Sequence, residues 1–399
     1  MRILVADKFP DSGLVYLTEK GHEVQYKPDL TGADLAGALG GVEVLVVRST
    51  NVPAAAIEAG DLLALIVRAG AGTNTIDKRA AADSAVYVAN VPGRNAIAVA
   101  ELTLGLILAI DRWIPDNVIH LRAESWRKSI YSKGQGLFGR SLGIVGLGAI
   151  GMAVASRAAA FGLTLHGLER ARSAAATEQI AGMDFTLHPD LKSLAGAVDI
   201  ISLHVPAAAE TKHLVDADFL AALRPGTVLI NTSRADVVDE EALLAAIDDK
   251  DLWVGADVFE NEPSTGEGDF ASALAKHPRV YGTHHIGAST AQAQAAVATG
   301  VLEVIDAFAA GTALNSVNIL PSVPEATSVT IRHHNRVGVL AAILTLIRDS
   351  GINVEHMSNL IFDGSQAATA TLDLTGDVSD ELLGRLMAIP DVIHARVNA

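Results

Sequence analysis

The sequence predicts an α/β protein: two doubly wound parallel-sheet units of the Rossmann and flavodoxin-like kind, then a small ferredoxin-like βαββαβ unit. Three observations predict it. Short β-rich runs alternate with alanine-rich helical stretches in two consecutive series, the pattern of parallel strands covered by crossover helices on both faces. The glycine cluster Gly146-Leu147-Gly148-Ala149-Ile150-Gly151 follows an apolar strand and opens a helix. Residues 325–399 read strand, helix, strand, strand, helix, strand.

Taken in order, the first series has strand candidates RILVAD, HEVQYK, VLVVRS, ALIVRAG and VYVANVP, after which Asn95 to Arg112 reads as one long apolar helix. The second series runs through SLGIVG, LTLHGLE, FTLH, DIISLHVP, TVLINTS, WVGADV and RVYGTHH. A further helix, Ala291 to Ala310, leads into the proline-containing stretch NILPSVPEA, expected to be a linker. In the final unit Gly351 is placed to end the first helix, and Asp363-Gly364 supplies a hairpin turn. The expected domains are 1–93 with 284–312, a discontinuous substrate-binding domain; 94–283, nucleotide-binding; 313–324, linker; and 325–399, regulatory.

With 399 residues the chain is long enough for several cores. The absence of cysteine excludes disulfides, thiolate metal sites and a cysteine nucleophile, and no HExxH-like spacing suggests a metal site. A net charge of -16 opposes a phosphate backbone, so no nucleic-acid partner is expected. Asp7 and Lys8 interrupt what would be the apolar part of a signal peptide, and the most membrane-like stretch, Ala96 to Ile110, is shorter than a span and carries Glu101. A cytoplasmic protein with no membrane association is therefore expected.

At the glycine cluster, Gly146, Gly148 and Gly151 permit a tight turn and close backbone approach. The helix N-terminus opened by Ala149 and Ile150 offers free N–H groups and partial positive charge to a pyrophosphate. Glu169, at the end of the next strand, is placed to accept hydrogen bonds from ribose hydroxyls and to repel a 2′-phosphate, so NAD is expected over NADP.

Further strings cluster at the ends of successive strands: NTSRADVVDEEAL, GADVFENEP, YGTHHIGAST, HVPAAAETKHLVD, RAGAGTNTID and NVPGRNAIAVAE. Together they resemble the D-isomer-specific 2-hydroxyacid dehydrogenase family over roughly residues 40 to 310. Oxidising a 2-hydroxy acid moves a hydride from C2 to a nicotinamide and a proton to a base while a fixed cation holds the carboxylate. Arg234 suits the carboxylate because its guanidinium is permanently charged and bidentate. His285 suits the proton because imidazole titrates near neutrality, and Glu262 suits the ring's other nitrogen. The resemblance implies these are the family's arginine, glutamate and histidine, with Asp257 a carboxylate near the nicotinamide. It also implies that His204, Val205, Pro206, Thr211, Thr232, Ser233 and Gly287 border the cofactor. The family's usual Pro-His is here His284-His285.

Arg48 and Arg68 each end a predicted strand of the first series and are expected to face the substrate's distal end; Ala71, Gly72 and Asn74 offer amide contacts to the carboxylate, and Lys128 is a further candidate. This arrangement resembles the phosphoglycerate dehydrogenase branch, implying a phosphorylated 2-hydroxy acid as substrate. The tail, RHHNRVGVL followed by DSGINVEHM, resembles the ACT-type regulatory domain of the serine-inhibited members. That resemblance implies His333, Asn335 and Asn353 as contacts for an L-serine effector, and a homodimer or homotetramer. The competing expectations are a glyoxylate or hydroxypyruvate reductase and a non-catalytic NAD-sensing interaction protein.

Overall fold

The computed structural model describes residues 1–171, 174–263, 267–320, 323 and 325–398. It divides into two compact units, Met1–Asn318 and Ile319–Ala399. Residues 321, 322 and 324 of the expected linker lie outside the described residues.

The first unit holds two parallel sheets. Strands β1 (Arg2–Val5), β2 (Glu23–Tyr26), β3 (Val44–Val47), β4 (Leu65–Arg68) and β5 (Tyr87–Asn90) lie in the order β2-β1-β3-β4-β5. Strands β6 (Ser141–Val145), β7 (Thr164–Leu168), β8 (Phe185–His188), β9 (Ile200–Leu203), β10 (Val228–Asn231), β11 (Trp253–Ala256) and β12 (Val280–Gly282) lie in the order β12-β11-β10-β9-β6-β7-β8. Every strand of both expected series is present. Central strands such as VLVV of β3 and IISL of β9 are buried at every residue, because helices cover both faces. Alternate residues feed opposite layers: Ile201 and Leu203 pack with Leu194 and Phe219, while Ile200 packs with Ile107 and Val154. In the second sheet the order reverses between β6 and β9, which opens a crevice at the strands' carboxyl ends.

The helix Ala96–Arg112 is apolar nearly all round because it is wedged between the second sheet and helix Ala149–Ala160. It stops at Trp113, whose φ of 47° is left-handed, and a second helix, Ile114–Arg122, departs from there. The sequence reading did not anticipate that second helix. Trp113 meets Trp253 edge-on, Trp253 meets Tyr281, and the Tyr281 hydroxyl donates to Asp116, tying the departing arm to the β11–β12 edge. Helix Ala291–Ala309 returns to the first sheet, burying Ala298, Val301, Val304 and Ile305 against Ile3, Val5 and Val67. Part of the expected linker is not free. Asn315 accepts from the Asn90 N–H, Val317 N–H donates to Val88, and the Asn318 side chain bonds Val86 and Val88, so residues 315–318 run along the exposed edge of β5 and satisfy it.

The second unit is an antiparallel sheet of β13 (Thr327–His334), β14 (Asn353–Ile361), β15 (Ala367–Thr375) and β16 (Val392–Val397), ordered β14-β15-β13-β16. Helices Val339–Asp349 and Asp380–Met387 cover one face, which is why β15 alternates buried and half-buried residues. Gly351, at φ 72°, follows the first helix as its left-handed terminator, and Gly364, at φ 81°, turns the β14–β15 hairpin.

Candidate active site

Parallel strands put their carboxyl ends on one edge, and three of those ends in the second sheet carry the charged residues singled out above. After β10, Asn231 accepts from the Ser233 N–H (3.0 Å) and hydroxyl (2.7 Å) and donates to the Arg234 carbonyl (2.9 Å), folding the chain into a tight bend. That bend aims Arg234 at the first sheet. Its Nη1 donates to the Ser233 carbonyl at 2.6 Å, and a Cβ added to Gly72 would lie 2.8 Å from Nη2.

His285 and Glu262 meet at 2.7 Å through Nδ1 and Oε2, while Glu262 Oε1 accepts the Phe259 N–H at 2.8 Å. The hydrogen bond to Glu262 raises the His285 pKa above the ordinary imidazole value, burial opposes that rise, and the charges of Glu262 and Asp257 add to it. Burial works against charge on Glu262, but the bonds from His285 and Phe259 prevail and its pKa ends below the usual value. His285 itself sits at φ 50°, a conformation that costs energy for a residue with a side chain. Asp257 holds it there. This buried carboxylate accepts from the Thr283 hydroxyl (2.6 Å), the Ile286 N–H (2.8 Å) and the Gly287 N–H (2.8 Å), all from the segment carrying His285.

The glycine loop is built for close approach. Gly146 adopts φ 102°, and a Cβ there would lie 2.4 Å from the His204 carbonyl oxygen; a Cβ on Gly151 would lie 2.0 Å from the Gly146 oxygen. Gly148 caps helix Ala149–Ala160 without a side chain, leaving its first N–H groups free. Gly148, Ala149, Ile150, His204, Val205, Pro206, Thr232, Ser233, Asp257 and Gly287 line a cavity of about 350 Å³ that also contains Arg234 and His285. His204 is half-buried in the cavity wall, its Nε2 is 2.8 Å from the Ser202 hydroxyl, and its Nδ1 has no partner among the described residues; desolvation of the ring pushes its pKa down to about 3, so it is neutral. A glycine cradle, a helix N-terminus and an orphaned ring nitrogen in one wall fit a dinucleotide. Glu169 stands exposed at the end of β7 with its N–H bonded to His188. Thr211 does not line the cavity: its hydroxyl caps its own loop through Pro206 and Ala208.

From the first sheet, Arg68, Ala71, Gly72 and Asn74 complete the cavity's far wall. Burial, with the charges of Arg234 and Arg48, pushes the Arg68 pKa down to about 10 despite Asp7 nearby, and its Nε is unpartnered among the described residues. Arg48 lies in an adjoining cavity of about 300 Å³ with Lys8 and Gln294; Ala288 borders both spaces. Asn90, which donates to the Ala71 carbonyl at 2.6 Å, and the Asp7-Lys8 pair were not singled out as site residues in the sequence, although the pair lies just past the carboxyl end of the first strand. Lys128 is not brought to the cavity. The turn at Trp113 carries helix Lys128–Tyr131 away on an exposed arm.

In the second unit His333 is buried, with ring nitrogens 2.9 Å from the His334 carbonyl oxygen and 3.1 Å from Asn359 Oδ1. Asn335 donates to the Ser365 carbonyl and Asn353 to Glu355. His333 pairs with Ala368 at one end of β15 and Asn353 with Thr375 at the other, so strand register separates them by roughly 20 Å within one chain.

Residues 104–287 match the family model described as the NAD binding domain of D-isomer specific 2-hydroxyacid dehydrogenases. Over 374 residues the chain is 33% identical to the D-3-phosphoglycerate dehydrogenase of Methanocaldococcus jannaschii, an alignment covering 93% of this chain and 69% of that protein. The chain belongs to the D-isomer specific 2-hydroxyacid dehydrogenases. As a member of that family it is an NAD-dependent dehydrogenase. It is also 40% identical over 266 residues to the hydroxypyruvate reductase of Thermotoga maritima, covering 66% of this chain and 84% of that one. Among solved structures, the NADPH-dependent glyoxylate/hydroxypyruvate reductase of Sinorhizobium meliloti, in complex with NADP and malonate, superposes with a TM-score of 0.67 at 31% identity, over 79% of this chain and 96% of that one. Among the described residues no helix is long and apolar enough to cross a membrane, and no group of three or more His, Asp or Glu could hold a metal ion.

Proposed function

We propose that this dehydrogenase oxidises D-3-phosphoglycerate to 3-phosphohydroxypyruvate in the cytoplasm. The observation that carries the reading is charge imbalance at Arg68: this half-buried guanidinium feels Arg234 in the same cavity and Arg48 in the adjoining one, and Asp7 opposes them. A desolvated guanidinium repelled by two others is an unfavourable arrangement in an empty protein and a favourable one around a substrate bearing a carboxylate and a phosphate. In this mechanism Arg234 holds the carboxylate against the loop amides of Ala71 and Gly72, and Arg68 and Arg48 take the distal phosphate. Bound NAD supplies the hydride acceptor. His285, neutral and with Nδ1 tied to Glu262, accepts the hydroxyl proton at Nε2; Glu262 stabilises the imidazolium so formed, and Asp257 keeps the ring in position. In the reductive direction the protonated ring returns that proton.

The test is NADH formation from D-3-phosphoglycerate, D-glycerate and D-lactate side by side, with and without L-serine. A clear preference for the phosphorylated acid is expected; equal use of glycerate would refute the substrate assignment. The similarity to hydroxypyruvate reductases favours a second reading, reduction of unphosphorylated hydroxypyruvate, which the reverse assay with NADH separates. The similarity to the M. jannaschii relative covers 93% of this chain and so reaches into the C-terminal unit, whose role in this reading is regulatory. L-Serine as its effector requires a second copy of the unit, so that Asn353 of one chain meets His333 and Asn335 of another. Edge strand β14, with Met357, Leu360 and Ile361 exposed, suits such pairing in a homo-oligomer.

A further inference from the structure

Asp7 follows β1 at its carboxyl end and touches neither Arg234 nor the His285–Glu262 pair in any hydrogen bond of the described residues. Its Oδ2 accepts three successive backbone N–H groups, from Arg48 (2.6 Å), Ser49 (3.0 Å) and Thr50 (3.0 Å). Three amides of one tripeptide converging on one oxygen pin the segment after β3 in a single conformation. The Thr50 hydroxyl reinforces it through the carbonyls of Ala6 (3.3 Å) and Leu30 (3.4 Å). Arg48 is the first residue of that pinned segment, and Lys8, next to Asp7 in the chain, lines the same cavity of about 300 Å³ together with Gln294. The end of β1 thus delivers, in two consecutive residues, the acceptor that fixes one cation and a second cation beside it.

We propose that Asp7 is a positioning residue for recognition of the substrate's distal anion: it fixes Arg48 so that Arg48 and Lys8 face one small cavity, and so selects acids with a second anionic group over those ending in a hydroxymethyl or methyl. This rests on the reading that the cavity beside Ala288 receives the distal group. A guanidinium on an unpinned loop would have to be ordered by each substrate molecule, and that cost would fall on the phosphorylated acid alone. A purely structural Asp7 would instead weaken all substrates together.

The experiment compares kcat/KM for D-3-phosphoglycerate and D-glycerate in the full chain and its Asp7→Ala, Asp7→Glu, Asp7→Asn, Arg48→Ala and Lys8→Ala variants. Asp7→Ala is expected to lower the phosphorylated-to-unphosphorylated ratio on the order of tenfold, through KM rather than kcat. Asp7→Asn keeps a single acceptor oxygen where all three amides converge and recovers most of the ratio. Asp7→Glu displaces that oxygen by a methylene while keeping the charge, and carries the test if the alanine variant does not fold; it too should lose selectivity. If Arg48→Ala and Lys8→Ala leave the ratio unchanged, the cavity is not the distal seat and the reading beneath the proposal fails. If they lower it and the Asp7→Ala and Asp7→Glu variants do not, or if those two weaken both substrates equally, the positioning role of Asp7 is overturned.

Discussion

Replacing Glu262 by glutamine tests the acid–base pair most directly. The side chain keeps its size but has one acceptor oxygen instead of two, so it can accept from the His285 ring N–H or from the Phe259 N–H but not from both, and it loses the charge. A charge-assisted hydrogen bond is worth about 1.5–3 kcal/mol. With the His285 side chain 49% and the Glu262 side chain 31% exposed, water screens the pair and the lower end applies. At about 1.4 kcal/mol per decade, kcat/KM for oxidation should fall roughly tenfold. The pH dependence carries the sign. Oxidation needs neutral His285, so the wild-type rate rises through a raised imidazole pKa; without the carboxylate that limb moves to lower pH. Stability follows the same pair. The raised His285 pKa contributes stability fully present below the ordinary imidazole value and lost as pH rises through the raised one, and the depressed Glu262 pKa contributes stability lost as pH falls through it. The variant should therefore be less stable than wild type mainly at mildly acidic pH. Initial rates of NADH formation and thermal melts across pH check both. A limb that does not move, with the loss confined to KM, would refute the role given to Glu262.

Asp257→Asn leaves one oxygen for donors that now occupy two, so the Gly287 N–H faces an amide N–H inside the protein, a cost of roughly 1–3 kcal/mol. The melting temperature and kcat should drop together as His285 leaves its strained conformation; a lower melting temperature with kcat intact would show that the clamp does not position the ring. Gly151→Ala places a methyl 2.0 Å from the Gly146 oxygen, and the loop must open to admit it. Binding of NAD, followed by NADH fluorescence or the KM for NAD, should weaken by about tenfold or more, and wild-type affinity would contradict the cradle.

Local signals in the sequence were sufficient for much of this. Strand and helix periodicity located both parallel sheets, and the Gly146–Gly151 run identified the nucleotide edge, because each depends on neighbours within a few residues. Arg234, Glu262 and His285 were legible for a topological reason: parallel strands deliver their carboxyl ends to a common edge, so loops far apart in sequence converge. Where a residue's position depends on one backbone angle or on register, sequence was silent. The left-handed Trp113 diverted Lys128, the β14–β15 pairing parted Asn353 from His333, and the edge of β5 captured residues 315–318 from the expected linker.

The chain's composition, periodicity and glycine spacing by themselves determined its fold class, its nucleotide edge and the chemical types gathered there. Tertiary structure alone decided which charges oppose one another: that Arg68 and Arg234 share one cavity with Arg48 in the next, that His285 is held against strain by a buried carboxylate, and that Asp7 reaches 41 residues ahead to pin Arg48. Helices and strands follow from short-range sterics and hydrophobic pattern, whereas electrostatic balance depends on through-space distance, which exists only once the sheets have packed.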